Sequence, residues 1–486
     1  MKIKKIFRLE VYLLLIILAL ALATRLYKVD SPLADLHSWR QADTAAVARN
    51  FARDGIDLLH PRYDDLSGRE AGIENPEGYR MVEFPIYNAI TALLYKSLPV
   101  FPIEIYARLT SIFFSLLTIA VLYYLLLREE GLLTAAVGGF VYAVFPFFVF
   151  FSRVVLPETT ALGLTFVSIY FLYLYTQKNI SPAKTIIYII VSLLFFVAAI
   201  LVKPTVVFYA VVLIYLFIKR SGLGFLKSAS FYLYFILSVI PFILWRLYIK
   251  NFPAGIPVSD WLFTSVNTYE GLRTIFLRPA FFRWIFYERL NNLILGGYLS
   301  IFFLMGILRK NGKFFFPVFL ISMLSYLFIF EGGNVQHEYY QTIILPSIAI
   351  FIGLGVNFLL SLKHKLISFP LTVVTVALIF ISSFFFSYYQ VRSFYSVPQD
   401  LVTIAKIIKT ITEPDAKIIT DRTGDTTLLY LADRKGWPAY AGNLDYLKQQ
   451  NYRYVVTANQ DLIKDLKTNW RYSVIFQNDQ FTIFKI

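Results

Sequence analysis

The densest group of chemically active side chains lies in one short stretch of the sequence, from Asp35 to Arg49. It contains two aspartates, two arginines, a histidine and a glutamine, whereas most of the remaining chain is Leu, Ile, Phe, Val and Tyr. A carboxylate can accept a proton as a general base, and a guanidinium can bind phosphate oxygens through two parallel hydrogen bonds. This stretch is therefore the first candidate for a site that combines proton transfer with anion binding.

Further ionisable groups of the same kind recur later in the chain. They are Glu83 in Val-Glu-Phe-Pro, Arg153 with Glu158, Lys203 before Pro204, and the run His337-Glu338-Tyr339-Tyr340. In the topology derived below, all of these groups fall at outer span ends or in the outer loop. Ionisable groups that face one side of a membrane usually mark a functional cavity.

The polar stretch has the pattern of a helix start. Ser38 is followed three residues later by Gln41, which is the spacing of a capping box and predicts a helix from Ser38 to about Arg53. On that helix Arg40 and Asp43 share one face. The plain alternative is that Asp35 and Ser38 only cap a surface helix, with Arg40 and Asp43 as an ordinary solvated pair.

Composition places these residues in a membrane protein. Of 486 residues, 57% are hydrophobic and only 16% are charged, and many apolar runs approach the ~18 residues of a membrane helix. We therefore expect an all-α polytopic membrane protein. The net charge of +15 then indicates orientation and contact with anionic lipid, and we expect no nucleic-acid partner. Without cysteine, disulfides and thiolate chemistry are excluded.

The apolar runs predict about eleven transmembrane helices. Ile86–Leu98 is short and carries Lys96, so we interpret it as an interfacial helix. The predicted spans are Leu9–Leu26, Ile105–Leu127, Leu132–Phe151, Thr159–Tyr175, Thr185–Val202, Val206–Ile218, Phe231–Tyr248, Leu293–Leu308, Phe314–Phe330, Ile343–Leu360 and Leu366–Phe386.

Basic residues set the predicted orientation. Lys and Arg concentrate on alternate short segments, including Lys2, Arg220, Lys310, Lys313, Lys363 and Lys365, and the positive-inside rule places these in the cytoplasm. The protein is therefore expected to be multi-pass in the inner or plasma membrane, with its N-terminus cytoplasmic and its C-terminus outside.

The last residues have a different pattern, of short alternating segments typical of a small extracytoplasmic α/β domain. We predict helices near Leu401–Ile411 and Leu444–Gln449, and strands at Lys417–Thr420, Tyr452–Thr457, Tyr472–Gln477 and Phe481–Lys485. The expected division is a membrane module of residues 1–392, with a first outer loop at 27–102, and a soluble domain of residues 393–486.

This layout resembles the GT-C superfamily of glycosyltransferases, in particular the bacterial protein-mannosyltransferase-like and aminoarabinose-transferase-like branch (families 39 and 83). The likeness rests on the run Trp39-Arg40-Gln41-Ala42-Asp43-Thr44, on Leu156-Pro157-Glu158, on Lys203-Pro204 and on His337-x-Tyr339-Tyr340, and it extends from about Leu9 to Leu360. One departure is that Asp35-Leu-His stands where the family has an Asp-Glu pair. The choice between Asp35 and Asp43 as the catalytic carboxylate is therefore open.

The resemblance implies an inverting transfer of a sugar from a polyprenyl-phosphate carrier to an acceptor hydroxyl on a protein, lipid or polysaccharide of the cell envelope. The candidate catalytic residues are then Asp35, Glu83 and Asp43. The candidate substrate-binding residues are His37, Arg40, Gln41, Arg153, Glu158, Lys203, His337, Glu338, Tyr339 and Tyr340. The lipid-linked sugar is the donor substrate, no cofactor is assigned, and a divalent cation is compatible with the site.

Other interpretations remain open at this stage. Lys203 fits a lysine that extends to the lipid headgroups, and Tyr339 and Tyr340 fit an interfacial aromatic belt. His337 could join Asp35, His37 or Glu83 around a metal, although no spaced ligand motif supports that. A transporter or flippase of lipid-linked sugars would share the spans and basic groups, but no inverted repeat is evident and the interior spans lack charges at the midplane. A purely structural scaffold leaves the polar groups unexplained.

Overall fold

The structure, a computed structural model of the chain, describes residues 2–258, 277–309, 314–362, 368–440 and 443–486. The chain divides into two compact units. The helical unit contains residues 1–29, 108–244 and 259–394, and the α/β unit contains residues 30–107, 245–258 and 395–486. The first outer loop, which the sequence analysis grouped with the membrane helices, thus belongs to the same compact unit as the C-terminal residues.

Helices make up most of the described chain. In chain order they are α1 (Lys2–Arg25), α2 (Ser38–Asp54), α3 (Ile86–Ser97), α4 (Ile103–Glu130), α5 (Leu132–Val144), α6 (Pro146–Phe151), α7 (Glu158–Tyr175), α8 (Pro182–Val202), α9 (Ala210–Ser221), α10 (Ala229–Tyr248), α11 (Pro279–Phe282), α12 (Ser300–Leu308), α13 (Pro317–Ile329), α14 (Glu331–Gln336), α15 (Leu345–Ser361), α16 (Phe369–Val391), α17 (Gln399–Ile411), α18 (Thr427–Ala432), α19 (Leu444–Gln449) and α20 (Gln460–Thr468). Short 3-10 segments at Pro204–Tyr209 and Glu338–Ile344 precede α9 and α15, and a π-helix spans Arg283–Ile294.

The apolar runs become helices because a backbone in a bilayer must satisfy its hydrogen bonds within its own segment. Six helical segments of the described chain are long and apolar enough to cross a membrane, namely Ile103–Glu130, Pro182–Val202, Pro204–Lys227, Ala229–Asn251, Glu338–Ser361 and Phe369–Ile411. Every predicted span overlaps a helix. The number of crossings, about eleven, stays a prediction. Of the predicted inner basic residues, Lys310, Lys313, Lys363 and Lys365 lie outside the described residues.

One predicted span is interrupted. The run Leu132–Phe151 forms α5 and α6, which meet at Phe145, and Pro146 is the first residue of α6. Proline has no N–H to donate to the preceding turn and its ring clashes with the carbonyl four residues earlier, so an interior proline kinks or breaks a helix. This run breaks at Pro146, whereas α10 continues through Pro241. The break leads directly into the Arg153–Glu158 segment.

Two helices of the helical unit approach closely at paired glycines. A Cβ on Gly355 of α15 would lie 1.9 Å from the carbonyl oxygen of Phe302 in α12, and a Cβ on Gly306 of α12 would lie 2.0 Å from the carbonyl oxygen of Phe351. Small residues allow such backbone contact in membrane helix pairs, where van der Waals packing replaces the hydrophobic effect.

The C-terminal residues form a five-stranded sheet in the order β2-β1-β3-β5-β4. The strands are β1 (Lys417–Thr420), β2 (Gly436–Trp437), β3 (Tyr452–Thr457), β4 (Ser473–Gln477) and β5 (Thr482–Lys485). Strand β1 is parallel to β2 and β3, whereas β5 is antiparallel to β3 and β4. Each predicted strand and helix of this region overlaps an observed one, and the sequence analysis missed α18, β2 and α20.

The first outer loop extends this sheet. The amide of Leu66 donates to the carbonyl oxygen of Gly436 in β2 at 2.8 Å, and the amide of Gly436 donates to the carbonyl oxygen of Asp64 at 2.9 Å. Strand β2 is the edge of the five-stranded order, so its outward backbone groups are paired by the loop instead of being left exposed. The loop and the C-terminal residues therefore share a sheet edge within one unit.

Candidate active site

Helix α2 carries most of the predicted polar cluster, but it starts differently from the prediction. Ser38 is its first residue, and His37 precedes it in the left-handed conformation (φ 58°). His37, at the N-cap position, makes no side-chain capping hydrogen bond, and Ser38 lies inside the helix, so the predicted capping box was wrong. Gln41, which would have completed the box, instead donates from Nε2 to Oδ1 of Asp35 at 2.6 Å and to the carbonyl oxygen of Leu36 at 2.9 Å.

Asp35 is therefore held from the helix that follows it. Its side chain is buried, with 3% of the residue exposed, and the Gln41 amide fixes one carboxylate oxygen by a hydrogen bond to an ionised acceptor. A buried carboxylate in a fixed orientation is the kind of group that can accept a proton as a general base.

Arg40 and Glu83 form a close ion pair in the α/β unit. One guanidinium nitrogen of Arg40 lies 2.5 Å from Oε1 and 2.7 Å from Oε2 of Glu83. Both side chains are largely buried, so the pair links the start of α2 to the segment that leads into α3. The solvated-pair alternative for Arg40 does not describe this arrangement.

Asp43 serves as an internal link. Its carboxylate pairs with Arg80 at 2.9 Å and accepts a hydrogen bond from the hydroxyl of Thr426 at 2.6 Å. Arg80 pairs in turn with Glu70. Burial raises the pKa of Asp43 to about 7, because the loss of hydration outweighs the attraction of the Arg80 charge. Asp43 thus joins α2 to two other segments of the α/β unit.

The helical unit contains a second polar cluster. Lys203, at the end of α8, lies 2.8 Å from Glu158 at the start of α7, and its ammonium group lies 5.3 Å from the ring centroid of Tyr340. Both charged side chains are buried, which differs from the solvent-reaching lysine of the snorkelling alternative. Arg153 is fully buried and donates to the carbonyl oxygen of Lys28 at 2.9 Å.

The run from His337 to Tyr340 begins the 3-10 segment that leads into α15. The rings of His337 and Tyr339 are stacked at 5.2 Å, and those of Tyr339 and Tyr340 lie 4.4 Å apart. Both tyrosines are buried, so they do not have the exposure of an interfacial belt. Glu338 pairs with Arg289 at 2.8 Å.

The sequence analysis missed several charged residues beside these clusters. Arg25 and Arg108 are fully buried in the helical unit, where they donate to Ser152 at 2.7 Å and to the carbonyl oxygen of Val29 at 2.7 Å, respectively. Arg108 lies inside a predicted span, and a charge in an apolar run is a usable signal. No comparable signal marks Arg80 or Thr426, because their partner Asp43 is distant in sequence.

No metal site is evident in the part of the chain that the structure describes. Nowhere in it do three or more His, Asp or Glu side chains lie in an arrangement that could hold an ion.

The comparisons with known proteins agree with this architecture. The model of a family described as dolichyl-phosphate-mannose-protein mannosyltransferase matches residues 86–245. The solved structure of ArnT from Cupriavidus metallidurans bound to undecaprenyl phosphate is similar, with a TM-score of 0.65, 14% identity and 97% of each chain covered. The archaeal oligosaccharyltransferase AglB from Archaeoglobus fulgidus, in complex with an inhibitory peptide and a dolichol-phosphate, has a TM-score of 0.55 at 11% identity, over 96% of this chain and 70% of that chain. No curated protein matches.

At these identities the likeness concerns the fold. The chain shares the fold of these two structures, which agrees with the fold that the resemblance predicts. The subgroup suggested by the Trp39–Thr44 run stays a prediction.

Proposed function

We propose that this protein is a membrane glycosyltransferase that moves a sugar from a polyprenyl-phosphate carrier to an acceptor hydroxyl on the extracytoplasmic face. The match to a mannosyltransferase family over residues 86–245 and the fold shared with a structure that holds undecaprenyl phosphate support this assignment. The acceptor is a protein, lipid or polysaccharide.

The observation that carries the proposal is the buried Asp35 carboxylate, held by Gln41 at 2.6 Å. In the proposed reaction the acceptor oxygen attacks the anomeric carbon of the donor, and the bond from that carbon to the phosphate oxygen breaks. The acceptor proton passes to Asp35, and attack from the opposite face inverts the anomeric configuration. The polyprenyl phosphate leaves as a stable anion, so no general acid is needed, and the base contributes roughly 10²–10⁴-fold.

Asp35 is preferred over Asp43 as the base. Asp43 is occupied by Arg80 and Thr426, and its removal from these partners would leave buried charges uncompensated. We assign Asp43 a structural role. Arg40 is proposed to contact the substrate, and Glu83 orients Arg40 through their ion pair.

Cations of the helical unit are the proposed ligands of the carrier phosphate. Arg153 can bind phosphate through parallel hydrogen bonds and Lys203 as a point charge. Glu158 holds Lys203 at 2.8 Å and so sets where its ammonium group points. His337, Tyr339 and Tyr340 are proposed to bind the sugar by stacking and hydrogen bonding, with Glu338 held in place by Arg289.

The test is a donor assay with purified protein and polyprenyl phosphate carrying radiolabelled mannose, in detergent and in vesicles. Transfer of label, or slow release of free sugar with formation of polyprenyl phosphate, supports the proposal, and the anomeric configuration of the product tests inversion. Sugars other than mannose are compared in the same assay. Movement of the intact donor across vesicles without cleavage would establish the flippase instead.

A further inference from the structure

The short helix α18 packs against α2 and makes hydroxyl contacts at its start. Thr426 immediately precedes α18, and its hydroxyl donates to the Asp43 carboxylate at 2.6 Å and lies 3.3 Å from the carbonyl oxygen of Trp39. Thr427 lies 2.9 Å from the hydroxyl of Ser38. Thr426 does not cap its own helix, because the carboxylate of Asp425 accepts the Thr427 amide instead. Its side chain is thus directed at α2.

The other end of α2 is held from the far end of α18. Both terminal nitrogens of Arg53 donate to Asp433, each at 2.7 Å, which is the bidentate geometry of a strong pair. Arg49 donates to the carbonyl oxygen of Tyr430 at 2.9 Å and lies over the Tyr430 ring at 4.4 Å. Burial alone would raise the pKa of Asp433, but the hydrogen bond from Arg53 and the positive charges of Arg49 and Arg53 lower it to about 2.

These contacts reach Asp35 through the side-chain amide of Gln41. Asp35 precedes α2, and the side chain that fixes it, Gln41, projects from α2 at 2.6 Å. Gln41 lies between Trp39 and Asp43, the two residues that Thr426 contacts. A shift of the first turns of α2 would therefore move Gln41 and, with it, the carboxylate of Asp35.

We propose that the C-terminal α/β region is a positioning element for α2, with Thr426 as the residue that holds the Gln41–Asp35 pair in register. The expected effect on catalysis rests on the proposed function, whereas the contact of Thr426 with α2 does not depend on it. A misplacement of about 1 Å can cost about 100-fold in rate. Loss of the Thr426 hydroxyl should therefore lower kcat while leaving the KM for the donor nearly unchanged.

The test compares three variants of the full chain. Thr426→Val removes the hydroxyl at nearly constant shape, whereas Thr426→Ser keeps the hydroxyl and removes only the methyl group. Thr468→Val is the matched control, because Thr468 is exposed on α20 and its hydroxyl donates to the carbonyl oxygen of Lys464 in the same helix. Each variant is assayed for kcat and donor KM, and amide hydrogen exchange is followed over residues 38–54 without any substrate.

Thr426→Val should exchange faster over residues 38–54 and lose roughly 10- to 100-fold in kcat, while Thr426→Ser and Thr468→Val behave as wild type. Wild-type exchange and kcat in Thr426→Val would overturn the proposal, as would a loss seen only in KM. If no variant and no wild-type protein transfers sugar, the proposed function fails, and faster exchange in Thr426→Val alone still supports the positioning of α2 by Thr426.

Discussion

The side-chain amide of Gln41 donates to Oδ1 of Asp35 across six residues at 2.6 Å, so the candidate base is oriented by the helix that follows it. Asp35→Asn keeps the shape and can turn its carbonyl oxygen toward Gln41, but it cannot accept the acceptor proton. We expect a loss in transfer of roughly 10²–10⁴-fold with the melting temperature close to that of wild type.

The comparison variant for that experiment is Asp43→Asn. It replaces a buried carboxylate that pairs with Arg80 and takes no part in the proposed proton transfer, so we expect transfer per folded molecule to be retained. The opposite pattern, with an active Asp35→Asn and a stable, inactive Asp43→Asn, would exchange the two assignments.

The Lys203–Glu158 pair allows a clean test of phosphate binding. Lys203→Met alone would leave Glu158 buried without its partner, so it is combined with Glu158→Gln, and Glu158→Gln alone is the control. Loss of a hydrogen bond to a charged group costs about 1.5–3 kcal/mol, and we expect the double variant to bind the lipid-linked donor more weakly by that amount than the control. Donor titration measures it, and equal affinities would remove Lys203 from phosphate binding.

Asp43 should make stability depend on pH. Its folded pKa of about 7 exceeds the ordinary value of 3.8, so the folded state holds a proton between these values that the unfolded state has released. The contribution of Asp43 to the free energy of unfolding is therefore greatest below about pH 4. It decreases as the pH rises to about 7, by up to about 1.4 kcal/mol per pH unit. The groups that act on it are Arg80, Arg40, Glu70 and the hydroxyl of Thr426.

Thermal unfolding between about pH 4.5 and about pH 8 measures that slope. The Asp43→Asn variant cannot titrate at this position and should lack the decline attributable to Asp43. An identical pH profile in wild type and variant would show that Asp43 is ionised throughout this range.

Cysteine labelling tests the orientation, since the native chain contains no cysteine. Asp479 lies exposed after β4 and Ser221 lies exposed at the end of α9. We expect Asp479→Cys to react with a membrane-impermeant thiol reagent in intact cells and Ser221→Cys to react only after lysis. The reverse result would place the C-terminal region in the cytoplasm and contradict an extracytoplasmic reaction.

The sequence alone determined which segments are helical and what kind of protein they build. Long apolar runs can hide their backbone polar groups only as helices, so each predicted span overlaps a helix. Alternation of apolar residues in a short run likewise identified β1 and β3, whose bounds agree with the predictions. The local patterns did not predict two very short elements, the six-residue helix α18 and the two-residue strand β2.

Only the tertiary structure decided which charges meet. From spacing along α2, Arg40 and Asp43 looked like partners, yet Arg40 pairs with Glu83 and Asp43 with Arg80 and Thr426. These partners are separated by tens to hundreds of residues, and a charge carries no local mark of its partner. Thr426, which immediately precedes the short helix α18, lies 383 residues after Asp43 in the chain. Its role follows from the fold, because loop closure brings together groups whose sequence positions are unrelated.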